Sequence, residues 1–293
     1  MQSAPTRAET IWQARSRQSA LAVRRFCSNH SALAGLVILL LLVTLAVIAP
    51  WLAPGDFNAQ DLAATLQAPS ARHWLGTDEL GRDILGRLLH GTRLTLYIAL
   101  LCAIIVTPLG LLIGVCAGYF GGWTDRVLMR VVDLFLAFPG LILALAFVAA
   151  LGPGIDNTIM AIALSAWPPI ARLARAETLA IRQADYLAAA RLLGASHLRL
   201  IVLHIVPLCL PSVVVRVTLN MAAIILAAAG LGFLGLGAQP PSPEWGAMLA
   251  SGREYGLTAW WVAAGPGCAI LIASLAFNLF GDGLRDALDP RHD

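Results

Sequence analysis

No lysine occurs in this chain of 293 residues, so all twenty of its basic side chains are arginine. Charge of either sign is scarce: Asp, Glu and Arg together make up 13% of the residues, against about 25% in an ordinary soluble domain. The net charge of +3 gives no reason to expect a nucleic-acid partner. Five cysteines, Cys27, Cys102, Cys116, Cys209 and Cys268, show no C-x-x-C spacing, and four of them lie in or beside apolar stretches, where a thiol behaves as a small hydrophobe. The six histidines, His197 and His204 among them, are equally scattered, so neither a metal site nor a cofactor is expected. What fills the chain instead is apolar surface. Hydrophobic residues make up 58% and mean hydropathy is +0.76, more than a water-soluble fold has room to bury.

A helix needs about 20 apolar residues at 1.5 Å each to cross a hydrocarbon core of roughly 30 Å. By that measure the fold class is all-α, a polytopic membrane protein with six transmembrane helices, at 32–52, 94–119, 134–151, 158–170, 205–236 and 260–280. The fourth is short and interrupted by Pro168 and Pro169. Upstream of the first, Arg7, Arg15, Arg17, Arg24 and Arg25 are too dispersed for a signal-peptide n-region, so that span is expected to be uncleaved. With Trp12, Leu21, Val23 and Phe26 interleaved, the basic stretch either lies along the inner membrane surface or forms a plain tail. Arginine excess in loops marks the cytoplasm. It is found before the first span, at Arg126 and Arg130, at Arg172 to Arg199, and at Arg285 and Arg291, whereas the outer arginines are matched by acids. Both termini are therefore expected inside.

Prolines recur within the predicted spans, at Pro108, Pro139, Pro207, Pro211 and Pro266, and the backbone groups they free need neighbouring helices or a water-lined path. This favours a bundle with a pathway. Gly110, Gly114 and Gly118 form a small-residue strip, suited to packing within the chain or against a partner subunit. A pathway needs a source of energy. The spans hold almost no carboxylates for ion coupling. Without lysine the chain also lacks the P-loop residue that reaches the β and γ phosphates. Either flow is passive or a partner hydrolyses the nucleotide. No H-E-x-x-H, G-x-S-x-G or clustered acid pair suggests a membrane-embedded enzyme.

A partner pushing from the cytoplasm needs a handle, and residues 183–200 offer one. Asp185 reads as an N-cap, the run from Tyr186 to Leu193 as a short helix, Gly194 as the left-handed residue ending it, and Ser196 as the cap of a second helix. The same pattern also suits an ordinary polar loop.

This segment resembles the EAA loop of ABC importer permeases through Ala188, Ala189, Ala190, Gly194, Ile205 and Pro207. Further motifs extend the likeness: Leu75-Gly-Thr-Asp-Glu-Leu-Gly-Arg-Asp83, Gly118-Tyr-Phe-Gly-Gly122, Leu231-Gly-Phe-Leu-Gly-Leu-Gly237, Trp245-Gly-Ala-Met-Leu249 and Asn278-Leu-Phe-Gly-Asp-Gly-Leu-Arg-Asp-Ala-Leu-Asp-Pro290. Together they resemble the C-type permease subunit of the dipeptide/oligopeptide/nickel family, over nearly the whole chain from about Arg24. The resemblance implies a type I ABC importer permease fold in a bacterial inner membrane. Its implied segments are a cytoplasmic one at 1–31, a first helix and outer loop at 32–91, a five-helix importer domain at 92–282 with its coupling loop at about 183–207, and a tail at 283–293. The partners it implies are a homologous B-type permease, two ATP-binding subunits, an extracytoplasmic solute-binding protein and the lipid bilayer. The solute it implies is a di- or oligopeptide, with nickel, glutathione or another small solute as the alternative and a passive channel behind both.

Onto this sequence the resemblance carries an ATPase-coupling loop of Asp185, Tyr186, Ala188, Ala189, Ala190, Gly194, Ala195 and Pro207. Ala188 and Ala228 stand where the family commonly has glutamate; counted from Asp185, Ala188 is the third helical position, where an acid closes a capping box. Arg216 is an ionisable group deep in the fifth predicted span. With Asn220 it is a candidate for the translocation path, or else for pairing inside the assembly. Thr77, Asp78, Arg82 and Asp83 in the outer loop either contact the binding protein or hold the loop together. Asp282, Arg285, Asp286 and Asp289 either brace the ATPase contact or cap the last helix.

Overall fold

A computed structural model describes residues 23–54 and 56–288. The membrane-surface reading of the basic N-terminal stretch falls largely outside these residues, as does Asp289. Among the described residues the regular structure is helical, with one isolated bridge between Thr77 and Asp83. After a helical turn at 23–28, Asn29 accepts bonds from the amides of Ser31 and Ala32 and so starts α1, His30–Leu52. Asp83 does the same for Gly86 at the head of α2, Ile84–Phe120. This helix begins ten residues before the predicted span, because the cap lies upstream of the apolar run. At 37 residues it is about 55 Å long, well over the bilayer core. Gly121, at φ +65°, ends it.

The predicted third span is broken. Gly122–Leu136 (α3) and Gly140–Leu151 (α4) meet at about 90° around Pro139, whose ring removes an amide from the ladder. The predicted fourth span is likewise divided into α5, Ile155–Ala166, and α6, Pro168–Arg182, which opens with Pro168 and Pro169 where missing amides cost least. The next helix, α8, runs from His197 to Phe233 through a π turn at Ile201–Ile205, and follows the short α7, Asp185–Leu192. Then come α9, Trp245–Gly252, and α10, Trp261–Leu288. By length and apolarity four helices, α1, α2, α8 and α10, are able to cross a membrane, and five if the bent α3–α4 pair counts as one broken span. The fourth predicted span does not reach that standard: its apolar part is the twelve residues of α5, and α6 carries Arg172, Arg175 and Arg182.

Two buried clusters organise the bundle. One gathers Ile98, Val148, Ile162, Ile225, Trp245 and Val262 with the connections before α2 and around α9; the other gathers Val115, Val132, Ile170, Leu187, Leu200 and Val213 around the connection between α6 and α8. α1 packs on α10 so closely that a Cβ on Gly283 would stand 2.0 Å from that of Ala32. The outward faces are apolar as well, with Leu40, Val47, Leu112 and Leu271 more than half exposed, as lipid-facing helices require.

Candidate functional site

The polar segment between α6 and α8 folds into a knob. Gly194 takes φ +83°, with open space where its Cβ would be, so glycine is needed for the backbone turn and not for room. Its amide donates to Arg191 O (2.9 Å) and the next amide, of Ala195, reaches back to Ala190 O (3.1 Å). That pair of bonds is the Schellman closure of α7. Ser196 then caps α8, its Oγ accepting from Arg199 N at 3.3 Å. One expectation needs correction. Ala184, not Asp185, occupies the N-cap, and Asp185 is the first helical residue. Ala188 therefore falls at the fourth helical position, outside the reach of a capping box, so its lack of a carboxyl removes no cap.

Leu187 and Leu200 are fully buried and anchor the knob, and Tyr186, Ala188 and Ala189 lie on its surface. Leu192 and Leu193 are each 89% exposed and Leu198 is 72% exposed. These three exposed leucines, at the end of α7 and the start of α8, were not singled out by the motif reading; the signal for the first two was there, since they lie off the face that Leu187 anchors. A second missed contact pins the knob to the end of α2: Tyr119 Oη and His197 Nδ1 share a hydrogen bond of 2.7 Å, and the Arg191 guanidinium lies 5.3 Å from the Tyr119 ring centre.

Behind the knob, α6 is fixed on two sides. The glycine strip of α2 receives it: a Cβ at Gly114 would lie 2.2 Å from Ala171 O, and those at Gly110 and Gly118 would meet Ile170 and Thr178 at 2.8 and 2.7 Å. The strip is thus used for packing within the chain. On the other side Arg175 grips Asp125 of α3 through both Nε and Nη2 (Nη2 to Oδ2 2.6 Å), and Arg172 reaches Asp133 at 2.6 Å. α6, which leads into the knob, is thus packed against α2 on one side and ion-paired to α3 on the other.

The other candidates lie elsewhere. Arg216 is exposed on α8, with no hydrogen bond or ion pair among the described residues. Asn220, one turn on and on the same face, has a buried Nδ2 without a partner among them. In the loop between α1 and α2 Thr77 is fully buried, accepting from Gln67 N at 2.8 Å and donating to Ala64 O, and Asp78 and Arg82 are 5% and 7% exposed in an ion pair of 2.7 Å. Those three hold the loop together and are closed to a docking protein in this conformation; Asp83, partly exposed, caps α2 and pairs with His73 at 3.0 Å. At the other end Asp286 accepts from Asn29 Nδ2 at 3.1 Å, tying the end of α10 to the head of α1. Among the described residues no group of three or more His, Cys, Asp or Glu side chains is placed to hold a metal.

Residues 110–293 match the family model described as the binding-protein-dependent transport system inner membrane component, and residues 18–69 match the N-terminal TM domain of oligopeptide transport permease C. A di/tripeptide transport system permease protein of Pseudomonas aeruginosa is 49% identical over 272 residues, covering 91% of this chain and 90% of that protein. A probable D,D-dipeptide transport system permease protein of Escherichia coli is 48% identical over 87% of this chain and 86% of its own length. A glutathione transport system permease protein of Pectobacterium atrosepticum is 45% identical, with 92% and 89% covered. Among solved structures, an inward-facing MetNI methionine ABC transporter chain superposes with a TM-score of 0.57 at 21% identity, covering 70% of this chain and 98% of that one. This last likeness bears on the fold alone.

Proposed function

Because the chain belongs to the family of binding-protein-dependent transport inner membrane components, a multi-pass permease subunit, we propose that it forms half of an import pathway for di- and oligopeptides and is driven by ATPase subunits gripping its cytoplasmic knob. The observation that carries this reading is the knob itself: a glycine-closed helix with exposed leucines, rigidly backed by α6. Two ATP-binding subunits, a homologous B-type permease and an extracytoplasmic binding protein complete the assembly in this reading, with both termini of this chain in the cytoplasm. Closure of the ATPase pair pulls the knob, and the bundle switches between two packed states as a rigid body. Arg216 and Asn220 then face the path, where a guanidinium without a partner suits a peptide carboxylate.

Relatives named for dipeptides and for glutathione at comparable identity make the solute the point to test. Labelled dipeptide, oligopeptide, glutathione and nickel uptake are measured in cells lacking this chain and with it restored. Loss and recovery of peptide uptake supports the reading; loss confined to glutathione or nickel reassigns the solute while leaving the machinery. In the same cells Gly194→Pro is expected to abolish uptake with membrane insertion intact. Normal uptake by that variant overturns the coupling role.

A further inference from the structure

Residues 183–200 join the bundle through two soft connections. On one side a break at Gln183 and Ala184 separates α6 from α7; on the other the π turn at Ile201–Ile205 interrupts α8 just past the knob. Interruptions of the helical ladder are where helices bend, so a pull on the knob delivered through the chain alone flexes those two points first. Leu187 and Leu200 hold the knob from beneath, but apolar contact is non-directional and lets surfaces slide.

One contact is directional. Tyr119, the last residue but one of α2, is 4% exposed, and its Oη shares the 2.7 Å hydrogen bond with Nδ1 of His197, the first residue of α8. Among the described residues this is the one hydrogen bond from 183–200 to an element other than the two helices they join. The Arg191 guanidinium, from the end of α7, lies over the same ring, and the His197 ring meets it edge-on at 5.7 Å. The knob is thus tied to one phenol from both sides of Gly194. Next to that phenol Gly118 packs against Thr178 of α6, and Gly121, at φ +65°, turns the chain into α3.

We propose that Tyr119 is a positioning residue for transport: its hydroxyl locks the knob to the last turn of α2, so that a pull on the knob displaces α2 instead of flexing the two connections. This rests on the coupling role proposed above for the knob. Phenylalanine at this position keeps a ring for Arg191 to cover and removes only the directional bond.

The test compares Tyr119→Phe and His197→Leu, singly and together, in the importer reconstituted in proteoliposomes with its partner permease, ATPase subunits and binding protein. ATP hydrolysis is measured beside uptake of labelled dialanine, or of glutathione or nickel if the cell assay reassigns the solute. The ATPase subunits are expected to co-purify with each variant in normal amount, while uptake per ATP hydrolysed falls about two- to tenfold, as loss of one net hydrogen bond implies. Both variants remove the same bond, so the double variant should fall no further than the weaker single one. Unchanged uptake per ATP in either variant that assembles, or a double loss equal to the product of the single losses, overturns the proposal. Failure of both variants to retain the ATPase subunits also overturns it, since the bond then serves assembly alone. His197 is exposed, so its variant keeps the test open if Tyr119→Phe does not assemble. An inactive Gly194→Pro beside normal latch variants sinks only this proposal, whereas an active Gly194→Pro sinks the coupling role itself.

Discussion

Glu244 shows what a single buried carboxyl does to this molecule. It lies in the connection ahead of α9, 2% exposed, and caps that helix by accepting from the amides of Gly246 (2.9 Å) and Ala247 (2.8 Å). Burial pushes its pKa from 4.5 up to about 7, against the opposing pull of those two amides. Between these values the folded chain holds a proton that the unfolded chain releases. The contribution is therefore most favourable below pH 4.5 and is lost as pH rises toward 7, by something on the order of 3 kcal/mol. Thermal unfolding followed by tryptophan fluorescence is expected to show the melting temperature falling across that window, and Glu244→Gln to flatten the dependence. Gly194 gives a second residue-scale expectation. At φ +83° an alanine is strained by about 1–2 kcal/mol, and asparagine, which tolerates this region, by less. ATPase stimulation in the reconstituted complex should therefore fall in the order Gly, Asn, Ala.

At the scale of elements, the coupling proposed above rests most on the close joint between α2 and α6. Gly114→Val places branched carbon where Ala171 O lies 2.2 Å away, so α6 must shift, at an overpacking cost of about 1–3 kcal/mol. Uptake is expected to drop more than membrane insertion does; unchanged uptake would show that this contact carries no motion. How far these elements were legible in the sequence varied with the physics that sets them. α1, α2, α8 and α10 were visible because apolar length alone specifies a span, and Gly194 and Ser196 because turn and cap chemistry is local. The break at Pro139 and the early start of α2 at Asp83 were blurred by the same criterion, since hydropathy averages over a bend and ignores caps. Asp185 was misplaced by one position, a shift that cap identity alone does not resolve. The Tyr119–His197 bond, 78 residues apart, had no sequence signal at all, because it depends on how distant helices meet.

For the whole molecule, the arrangement reads as a scaffold whose two ends differ in character, with the closed, ion-paired loop between α1 and α2 at one and the knob between α6 and α8, with exposed leucines, at the other. Arg216 and Asn220, proposed above to face the path, lie on α8, which starts at the knob. The two buried clusters share only Ile105 and Ala166 among their partly buried neighbours. Energies in such a body should add. Val148→Ala in one cluster and Leu187→Ala in the other, both at fully buried positions, are each expected to destabilise, by roughly 1–5 kcal/mol. The double variant should then equal their sum within about 0.5 kcal/mol by thermal or denaturant unfolding. Sequence drift at one end of the protein would then cost the whole chain the same amount whichever residues stand at the other, so the two ends can change without regard to each other's sequence.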